Sequence, residues 1–335
     1  MSPKSATMKV LELNQPGADF DLTLSEQAIP EITDNEVLVE IEYVALNHLD
    51  AKLAANGYDR WLYPHVLGLD AVGTIVDAPK GVFPNKGTRV LFHADIAEQG
   101  VLKQYAAVPN HSVCEISDEL ASDVAVLLPS AGMSALLAMD KLNLKQGDSL
   151  AINSAQGAIA HFAIQYAKQS GAKVFAFAQK SHHKRLTKLG ADFVFDCEST
   201  AVCDTVNLEL GPGGFDCILN TTGGDSFLTD LTHLRFGGRI ACMNGFPEIP
   251  EKLQCMHSPT VSIVSVVGAK LSNNLCAQQH LYFIGEQLMN DVESGKITPP
   301  DLRHVKFEAD EVKQVLTDLL NQTVEVRPVI KIKDD

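Results

Sequence analysis

Short apolar runs that alternate with polar residues dominate the first 124 residues of the chain. The segments EVLVEIEYVAL (36–46), AVGTIVDAP (71–79), GTRVLF (87–92) and LKQYAAVP (102–109) combine period-two alternation with β-branched residues and are punctuated by Gly and Pro. Such segments are typical of β-strands bounded by turns. This part of the chain is therefore predicted to be mostly β.

A helical pattern begins near Ser122, and a regular alternation of strand and helix follows it. The segment ASDVAVLLPSAGMSALLAMDKLNL is rich in Ala, Leu and Met at helical spacing. Apolar strands then alternate with predicted helices at 158–170, 181–189, about 199–210 and about 225–235. Apolar strands separated by amphipathic helices indicate a parallel sheet with helices on both faces. This region is predicted to be a doubly wound α/β domain.

The last third of the chain predicts two further helices and a closing strand. The helices lie in AQQHLYFIGEQLMNDVESG and EVKQVLTDLL, and the strand is RPVIKI (327–332). We expect this strand to return to the β-rich body, which makes that domain discontinuous. The predicted fold class is α/β, with a mostly-β domain at 1–124 and 268–335 and a doubly wound domain at 125–267.

The composition narrows the classes of partner. The 335 residues include 42 acidic and 27 basic ones, for a net charge of -15. Such a charge repels nucleic acid and anionic membranes, so an anionic ligand needs a local site. No apolar run has secretory or membrane-spanning length, which predicts a soluble, cytoplasmic protein. The seven cysteines form no CxxC pair and are expected to be buried, reduced thiols.

The segment NSAQGAIAHFAIQYAK (153–168) has the position, though not all the glycines, of a dinucleotide-binding turn. Laid on GxGxxG, it places Gly157 where the backbone must approach a pyrophosphate. A strand precedes the turn and a helix and a second strand follow, which completes a βαβ unit of about 30 residues. The alternative is a glycine-containing turn without a ligand, and His161 is expected at the helix surface. The candidate contacts are Ser154, Gln156, Gly157, Ala158 and Ile159.

The residue that selects between the two nicotinamide cofactors lies after the second strand. Gln179 stands where an NAD-specific protein has a carboxylate, and five residues that can carry positive charge follow it. A basic cluster here favours the 2′-phosphate of NADP(H), whereas the alternative is a solvated helix face. These residues are Lys180, His182, His183, Lys184 and Arg185.

Longer segments resemble the zinc-independent quinone oxidoreductases of the medium-chain dehydrogenase/reductase superfamily. They are VLVEIEYVALNHLDAKLAANG, PHVLGLDAVGTIV, SGAKVFAFA, KLGADFVFD, FDCILNTTGG, LRFGGRIACMNG and RPVIKI. The resemblance implies a GroES-like catalytic domain that holds both termini, an inserted Rossmann NADP-binding domain and a homodimer. It also implies that Ser134 and the backbone near Val267 hold the nicotinamide amide, and that Cys197 lies where relatives stack an adenine.

Further cofactor contacts are expected beyond the carboxyl ends of the strands, where ligands bind in open parallel sheets. These contacts are Gln179, Lys180, Lys184, Thr222, Asn244 and Gly245. In the mostly-β domain, Asn47 and Lys52 are the candidate catalytic residues. The alternatives for these two are a loop-capping amide and an exposed lysine. Asp50 and Asp70 are expected to be structural.

Zinc-dependent relatives differ at the positions that bind the metal. This chain has Asn47 in place of a cysteine and Leu69 in the histidine position, so we predict no metal site. Hydride transfer to a quinone or an α,β-unsaturated carbonyl compound can proceed without a Lewis acid, because hydrogen-bond donors suffice for the enolate. The hypothesis is an NADPH-dependent reductase of such compounds. The alternatives are a non-catalytic nucleotide-binding or scaffolding protein and an enoyl-thioester reductase.

Overall fold

The computed structural model describes residues 6–196, 209–210 and 213–333. The chain forms two compact units, and the division between them falls within a helix. The first unit contains the chain up to Ser130 and again from Val267 onward, and the second runs from Ala131 to Val266. Among the described residues, no helix has the length and apolar character needed to cross a membrane.

The regular elements alternate along the chain. The strands are β1 (Thr7–Leu13), β2 (Leu22–Ala28), β3 (Glu36–Ala45), β4 (His65–Val66), β5 (Asp70–Asp77), β6 (Arg89–His93), β7 (Tyr105–Pro109), β8 (Val113–Glu115), β9 (Ser149–Ile152), β10 (Lys173–Ala178), β11 (Phe193–Asp196), β12 (Phe215–Asn220), β13 (Leu234–Cys242), β14 (Thr260–Ile263), β15 (Leu302–Lys306) and β16 (Arg327–Lys331). The helices are α1 (His48–Asn56), α2 (Ser122–Ala125), α3 (Pro129–Leu142), α4 (Ala158–Gln169), α5 (His183–Lys188), α6 (Asp225–Thr232), α7 (Glu251–His257), α8 (Gly268–Leu271), α9 (Leu275–Glu293) and α10 (Ala309–Leu320). Short 3₁₀ turns lie at Asn110–Ser112 and Lys180–His182.

The first unit is built on a seven-stranded sheet. Its order is β15-β16-β3-β5-β6-β8, with β7 also paired to β3, and a separate sheet has the order β2-β1-β4. In β3 the alternation buries Val37, Val39 and Ile41, as expected for a strand with one apolar face. The closing strand β16 pairs antiparallel with β3, with Val329 opposite Ala45. The predicted return of the C-terminal strand to the β-rich body is confirmed.

The second unit contains a six-stranded sheet in the order β11-β10-β9-β12-β13-β14. Every described pairing in it is parallel. The order reverses direction between β9 and β12, which is the switch point where ligands bind in sheets of this type. Together with the mostly-β first unit, this sheet confirms the predicted fold class.

Some predicted helix bounds were wrong or cannot be compared. The helix expected at about 225–235 ends at Thr232, because Leu234 is buried and already pairs with Phe215 as the start of β13. The helix expected at about 199–210 lies outside the described residues, except for the helical pair 209–210. Cys255 and Cys276 are exposed, so the expectation of buried thiols fails for these two residues.

Candidate functional site

The predicted nucleotide turn connects β9 to α4. Ser154 has φ = 45°, a left-handed conformation that costs energy in a non-glycine residue and recurs at functional sites. Gly157 is the last residue before the helix. The first-turn amides of a helix have no intrahelical acceptor, and α4, which is described throughout, carries no acidic residue in that turn. Ala158 and Ile159 thus begin a turn whose main-chain donors suit an anion.

Gly157 has no conformational need to be glycine. Its φ of -72° suits any residue. A methyl group at this position would have the Ser154 carbonyl oxygen, 3.7 Å away, as its nearest described neighbour. The described protein therefore leaves a small open space at the very position where a dinucleotide turn needs one for the pyrophosphate. The residues of this turn fit the cofactor that the sequence predicts.

The side chain of Gln156 also has an unsatisfied group. Its Oε1 is buried and has no hydrogen-bond partner among the described residues. Buried polar atoms are nearly always paired, so an acceptor left open here suits a donor on a bound molecule, such as a ribose hydroxyl. The main-chain oxygen of Gln156 accepts from Arg185 Nη2 at 2.8 Å. Arg185, which lies on α5, thereby stabilises the conformation of the turn.

The expectation that His161 lies on the helix surface is wrong. Its side chain is 4% exposed, stands edge-on to Phe162 and has Nδ1 3.4 Å from Arg185 Nη1. The reason is a contact with a helix that is distant in sequence, since the guanidinium of Arg185, on α5, lies beside the His161 ring.

The carboxyl ends of β9, β12 and β13 are tied together by side chains. The hydroxyls of Ser154 and Thr222 lie 3.1 Å apart. Asn153 Oδ1 accepts from the Thr221 amide at 2.7 Å, and Asn244 Nδ2 donates to the Thr221 carbonyl oxygen at 2.7 Å. The structure thus brings together residues from three strand ends at one edge of the sheet.

Gly245 follows Asn244 at the same edge. Its carbonyl oxygen accepts from the Gly224 amide at 2.7 Å. A methyl group at Gly245 would meet no described atom within 4 Å. This exposed position is open to a ligand lying along the strand ends.

A half-buried carboxylate at this edge was missed by sequence reasoning. Asp230 Oδ2, on α6, accepts from Asn153 Nδ2 at 2.7 Å and from Asn220 Nδ2 at 2.6 Å. Asn220 Oδ1 in turn accepts from the Gly223 amide at 2.7 Å. Burial raises the pKa of Asp230 to about 6, against the opposing effect of the two asparagine bonds. The only signal in the sequence was an asparagine following or ending each of two central strands.

In the basic cluster after β10, some side chains contact the protein main chain and others are exposed to solvent. Arg185 holds the turn, and His183 Nε2 lies 3.1 Å from the Ala178 carbonyl oxygen. Lys180 is highly exposed and has Nζ 3.6 Å from Asp196 at the end of β11. Lys184 is exposed on α5 and Gln179 is exposed just before the 3₁₀ turn. Lys180 and Lys184 therefore point outward, where a phosphate could be met.

In the first unit, the amide of Asn47 is engaged within the protein. Its Nδ2 donates to Asp70 Oδ2 at 2.9 Å, and its Oδ1 accepts from Arg327 at 3.1 Å. Asn47 is also the N-cap of α1, in a capping box with Asp50. The structure therefore shows Asn47 as a capping residue of α1, and its contact with a substrate stays a prediction.

Two carboxylates flank Asn47. Asp70 accepts from the Ser130 amide at 3.0 Å and lies 2.7 Å from His93 Nδ1. Asp50 Oδ2 accepts from the Asn47 amide at 2.7 Å, whereas its Oδ1 is buried without a partner among the described residues. Burial raises the pKa of Asp50 to about 7. Both carboxylates have the structural contacts that the sequence predicts.

The other candidates occupy scattered positions. Lys52 is half-buried on α1, and its charge adds to burial in lowering the pKa of His48. Ser134 lies within α3 and Val267 is the N-cap of α8. Cys197 lies outside the described residues.

Groups of three or more His, Cys, Asp and Glu side chains suited to a metal ion do not occur in the described part of the chain. Leu69, at the position of a ligand histidine in zinc-dependent relatives, is 3% exposed.

Comparison with known proteins finds family models that match residues in both units. A model of the alcohol dehydrogenase GroES-like domain matches residues 33–118, and a model of zinc-binding dehydrogenases matches residues 158–280. A trans-enoyl reductase (tazE) of Aspergillus terreus is 30% identical over 213 residues, which are 58% of this chain and 70% of that protein. Human quinone oxidoreductase is 25% identical over 221 residues, or 64% of this chain and 66% of the human one.

The fold is also found among solved structures. A mycobacterial protein whose structure was solved in complex with NADPH superposes with a TM-score of 0.84 at 20% identity, covering 97% of this chain and 99% of the other. A GroES-like domain combined with a doubly wound parallel sheet defines a class of oxidoreductases. The chain belongs to that class, the medium-chain dehydrogenase/reductase superfamily, as a quinone oxidoreductase-like member.

Proposed function

We propose that the chain is an NADPH-dependent reductase of quinones or α,β-unsaturated carbonyl compounds that works without zinc. The observation that carries the proposal is the open space at Gly157 beside the first-turn amides of α4, which have no acceptor within the helix. The names of the human and fungal relatives, a quinone oxidoreductase and a trans-enoyl reductase, support it.

The second unit supplies the groups that would hold the cofactor. The pyrophosphate would lie on the amides that begin with Ala158, and Ser154, Thr222 and Asn244 border the same edge. A 2′-phosphate would be met by Lys180 and Lys184. Bound there, the dihydronicotinamide would provide a hydride.

The first unit gives the reason to propose chemistry without zinc. Asn47 and Leu69 replace the side chains with which relatives bind the metal, and Asn47 is already bonded to Asp70 and Arg327. Without a Lewis acid, simple ketones are poor substrates, because their alkoxide is weakly stabilised. Conjugated acceptors delocalise the charge, so hydrogen-bond donors are sufficient.

The test combines binding and turnover. We expect NADPH fluorescence to change saturably on titration with the protein, and NADPH absorbance to fall on addition of 1,4-benzoquinone or trans-2-hexenal. A Lys180→Glu/Lys184→Glu variant should lose its preference for NADPH over NADH by about tenfold or more. A variant with Lys306→Glu, at an exposed lysine of the first unit, serves as the control. Saturable binding without turnover of any acceptor would favour the non-catalytic alternative.

A second candidate is an enoyl-thioester reductase. The 30% identity to the Aspergillus trans-enoyl reductase favours it. Assay with a crotonyl thioester, carried on coenzyme A or on N-acetylcysteamine, separates the candidates. Faster turnover of the thioester than of the quinone and the enal would replace the first proposal.

We also propose that the protein is cytoplasmic and forms a homodimer. Ile263, exposed on the edge strand β14, supports an association between copies. Light scattering in solution measures the mass directly, and a mass of one chain would contradict the dimer. Cell fractionation tests the compartment.

A further inference from the structure

The carboxylate of Asp230, on α6, binds two asparagines that belong to different strand ends. Its Oδ2 accepts at 2.7 Å from Nδ2 of Asn153, which follows β9, and at 2.6 Å from Nδ2 of Asn220, which ends β12. Asn220 is fully buried and Asp230 is half-buried. An ionised carboxylate only accepts hydrogen bonds, so both side-chain amides direct their nitrogen atoms towards it.

The orientation of these two amides determines which main-chain groups they bind. With its nitrogen directed at Asp230, Asn153 uses Oδ1 to accept from the Thr221 amide at 2.7 Å. In the same way, Asn220 Oδ1 accepts from the Gly223 amide at 2.7 Å. A side-chain amide turned the other way would present NH₂ to these N–H donors and lose the bonds. Asp230 therefore fixes the loop after β12 through two intermediate side chains.

The loop after β12 belongs to the edge of the sheet that would contact the nucleotide. Asn244, which follows β13, donates from Nδ2 to the Thr221 carbonyl oxygen at 2.7 Å. The hydroxyl of Thr222 lies 3.1 Å from that of Ser154, in the turn after β9. A change in this loop therefore reaches the ends of all three strands.

The contact between the loops after β12 and β13 is close at Gly223. This residue has φ = 78°, and a methyl group on it would lie 2.6 Å from Asn244 Cβ and 2.7 Å from the Gly245 carbonyl oxygen. The Gly224 amide donates to the same Gly245 oxygen at 2.7 Å. Because atoms in such contact move together, weakening the bond from Gly223 to Asn220 affects both loops.

We propose that Asp230 is a positioning residue for the cofactor, and that its ionised form holds the strand ends in the arrangement that binds NADP(H). The inference rests on the proposed reductase function and adds a control by pH to that same site. A proton taken up from water by the carboxylate removes its charge. The bonds from the two amides then change from charge-assisted to neutral ones, which are about half as strong.

The pKa of Asp230 lies in a range that is accessible to measurement. Burial raises this pKa to about 6, and the bonds from Asn220 and Asn153 act in the opposite direction. The carboxylate is ionised above that pH, so the affinity for NADP(H) should be highest there. As the pH falls through 6, the proton enters, the network weakens and the affinity should decline.

Other ionisable groups lie on the elements around Asp230. The thiol of Cys242, on β13, has a pKa raised by burial and by the charge of Asp230. Helix α7 packs against α6. Ionisable residues on these elements and on β12 also include Asp216, Cys217, Asp225, Arg235, Arg239, Glu251, Lys252, Cys255 and His257.

The experiment measures by calorimetry how the Kd for NADP⁺, which is stable in acid, depends on pH between 5 and 8. It compares the wild type with Asp230→Asn, which mimics the neutral carboxyl group. We expect the variant to bind about tenfold more weakly at pH 7.5, and the two Kd values to converge at pH 5. The 2′-phosphate of the ligand also takes up a proton near pH 6. It does so with both proteins, so the difference between them isolates Asp230.

Asp225→Asn, at an exposed carboxylate of the same helix, is the matched control and should keep the wild-type affinity and pH profile. A ratio of the two Kd values that stays constant from pH 5 to pH 8 would reduce Asp230 to a fixed structural part and overturn the proposal. Wild-type affinity of Asp230→Asn at pH 7.5 would overturn it as well. If the wild-type protein binds neither NADP⁺ nor NADPH at any of these pH values, the proposed function fails instead.

A second measurement needs only the wild-type protein. NMR spectra of the ¹⁵N-labelled side-chain amides of Asn153 and Asn220 should shift together, with a midpoint near pH 6. Saturating NADP⁺ should lower that midpoint by about one pH unit, because a tenfold preference for the ionised form requires it. A midpoint that NADP⁺ leaves unchanged, or amide signals that do not move between pH 5 and pH 8, would contradict the proposal even if the variant failed to fold.

Discussion

At the scale of single residues, Gly157 leaves room beside the turn where the sequence predicts a pyrophosphate. Glycine is usually required either by a left-handed backbone or by crowding within the protein. Neither condition holds here, since the φ is -72° and the nearest described atom to an added methyl is 3.7 Å away. Neither the backbone conformation nor the described neighbours require this glycine, and the space beside it is free for a ligand.

Gly157→Ala should leave the fold intact and weaken NADPH binding about tenfold or more. An alanine at this φ is tolerated and lowers the entropy of the unfolded chain, so the free energy of unfolding should be unchanged or rise by up to about 1 kcal/mol. The added methyl would stand where the pyrophosphate has to approach. Fluorescence titration gives the affinity, and urea unfolding gives the stability.

The control is Gly213→Ala, another position where a methyl would meet no described atom within 4 Å. That variant should bind NADPH as the wild type does. Unchanged affinity in Gly157→Ala would show that the phosphate lies elsewhere.

A second residue-scale prediction concerns Asp50. Burial raises its pKa from an ordinary value of 3.8 to about 7, so the folded state holds this proton more tightly than the unfolded state. Between about pH 4 and pH 7 the unfolded chain binds fewer protons, and Asp50 therefore lowers the free energy of unfolding by about 1.4 kcal/mol for each unit of rising pH. The contribution of Asp50 to the free energy of unfolding is therefore most favourable below about pH 4 and declines as the pH rises to about 7.

Asp50→Asn removes this ionisation. Urea unfolding over that pH range should show a free energy of unfolding that declines less steeply with pH in the variant than in the wild type. Asp59→Asn, at an exposed carboxylate close by in the sequence, provides the reference. Parallel curves for Asp50→Asn and the wild type would mean that Asp50 ionises normally.

At the scale of secondary-structure elements, the strand ends were predictable and the contacts beneath them were not. A parallel sheet places Ser154, Thr222 and Asn244 at one edge regardless of their side-chain contacts. The hydrophobic periodicity and the order of strands and helices were therefore sufficient to predict their position. Asp230 contacts Asn153, 77 positions earlier in the chain. That contact arises only when β9 and β12 pair and α6 packs below them.

The same distinction explains the errors. The surface position expected for His161 followed from the periodicity of α4 alone, but the α5 residue that covers it is 24 positions away. The sequence predicted capping or substrate binding for Asn47, and it could not predict that the Asn47 amide contacts Asp70 and Arg327, which are distant in sequence. Local patterns reveal which elements form and seldom reveal which polar groups meet.

Asp230→Ala should loosen the edge of the sheet. It leaves Asn153 Nδ2 without its acceptor in Asp230 and removes one of the two acceptors of Asn220 Nδ2, which retains Ser226 Oγ at 3.1 Å. The loss of an acceptor by a poorly exposed donor costs about 1–3 kcal/mol. NADPH should bind more weakly, because these asparagines also hold the amides of Thr221 and Gly223. Thermal unfolding and fluorescence titration measure the two effects.

Asp225→Ala, in the first turn of the same helix, is the comparison because its side chain is exposed. It should affect binding far less. Equal effects of the two changes would indicate general damage to α6 and no special role of the Asp230 network.

At the scale of the whole molecule, the two compact units have separate cores, and the candidate cofactor groups of the turn lie in the second. Saturation with a ligand that binds only the folded state stabilises it by about 2.7 kcal/mol at a hundred times the Kd. NADPH should therefore raise hydrogen-exchange protection in peptides that cover β9, β12 and β13. Peptides of β1 and β2 should change less.

Exchange measured by mass spectrometry with and without NADPH checks this pattern, and AMP, which lacks the nicotinamide, is a useful comparison ligand. Protection confined to the first unit would place the nucleotide away from the Gly157 turn. The net charge of -15 makes such local holding necessary, because the molecule as a whole repels an anion.

The bond from Arg185 to the oxygen of Gln156 has a consequence for engineering. The helix α5, which carries part of the basic cluster, also stabilises the turn between β9 and α4 that would bind the diphosphate. A redesign toward NADH that swapped all five basic residues for acidic or neutral ones would remove this support together with the 2′-phosphate contacts. Cofactor exchange in this protein should succeed by altering Lys180 and Lys184 while retaining Arg185.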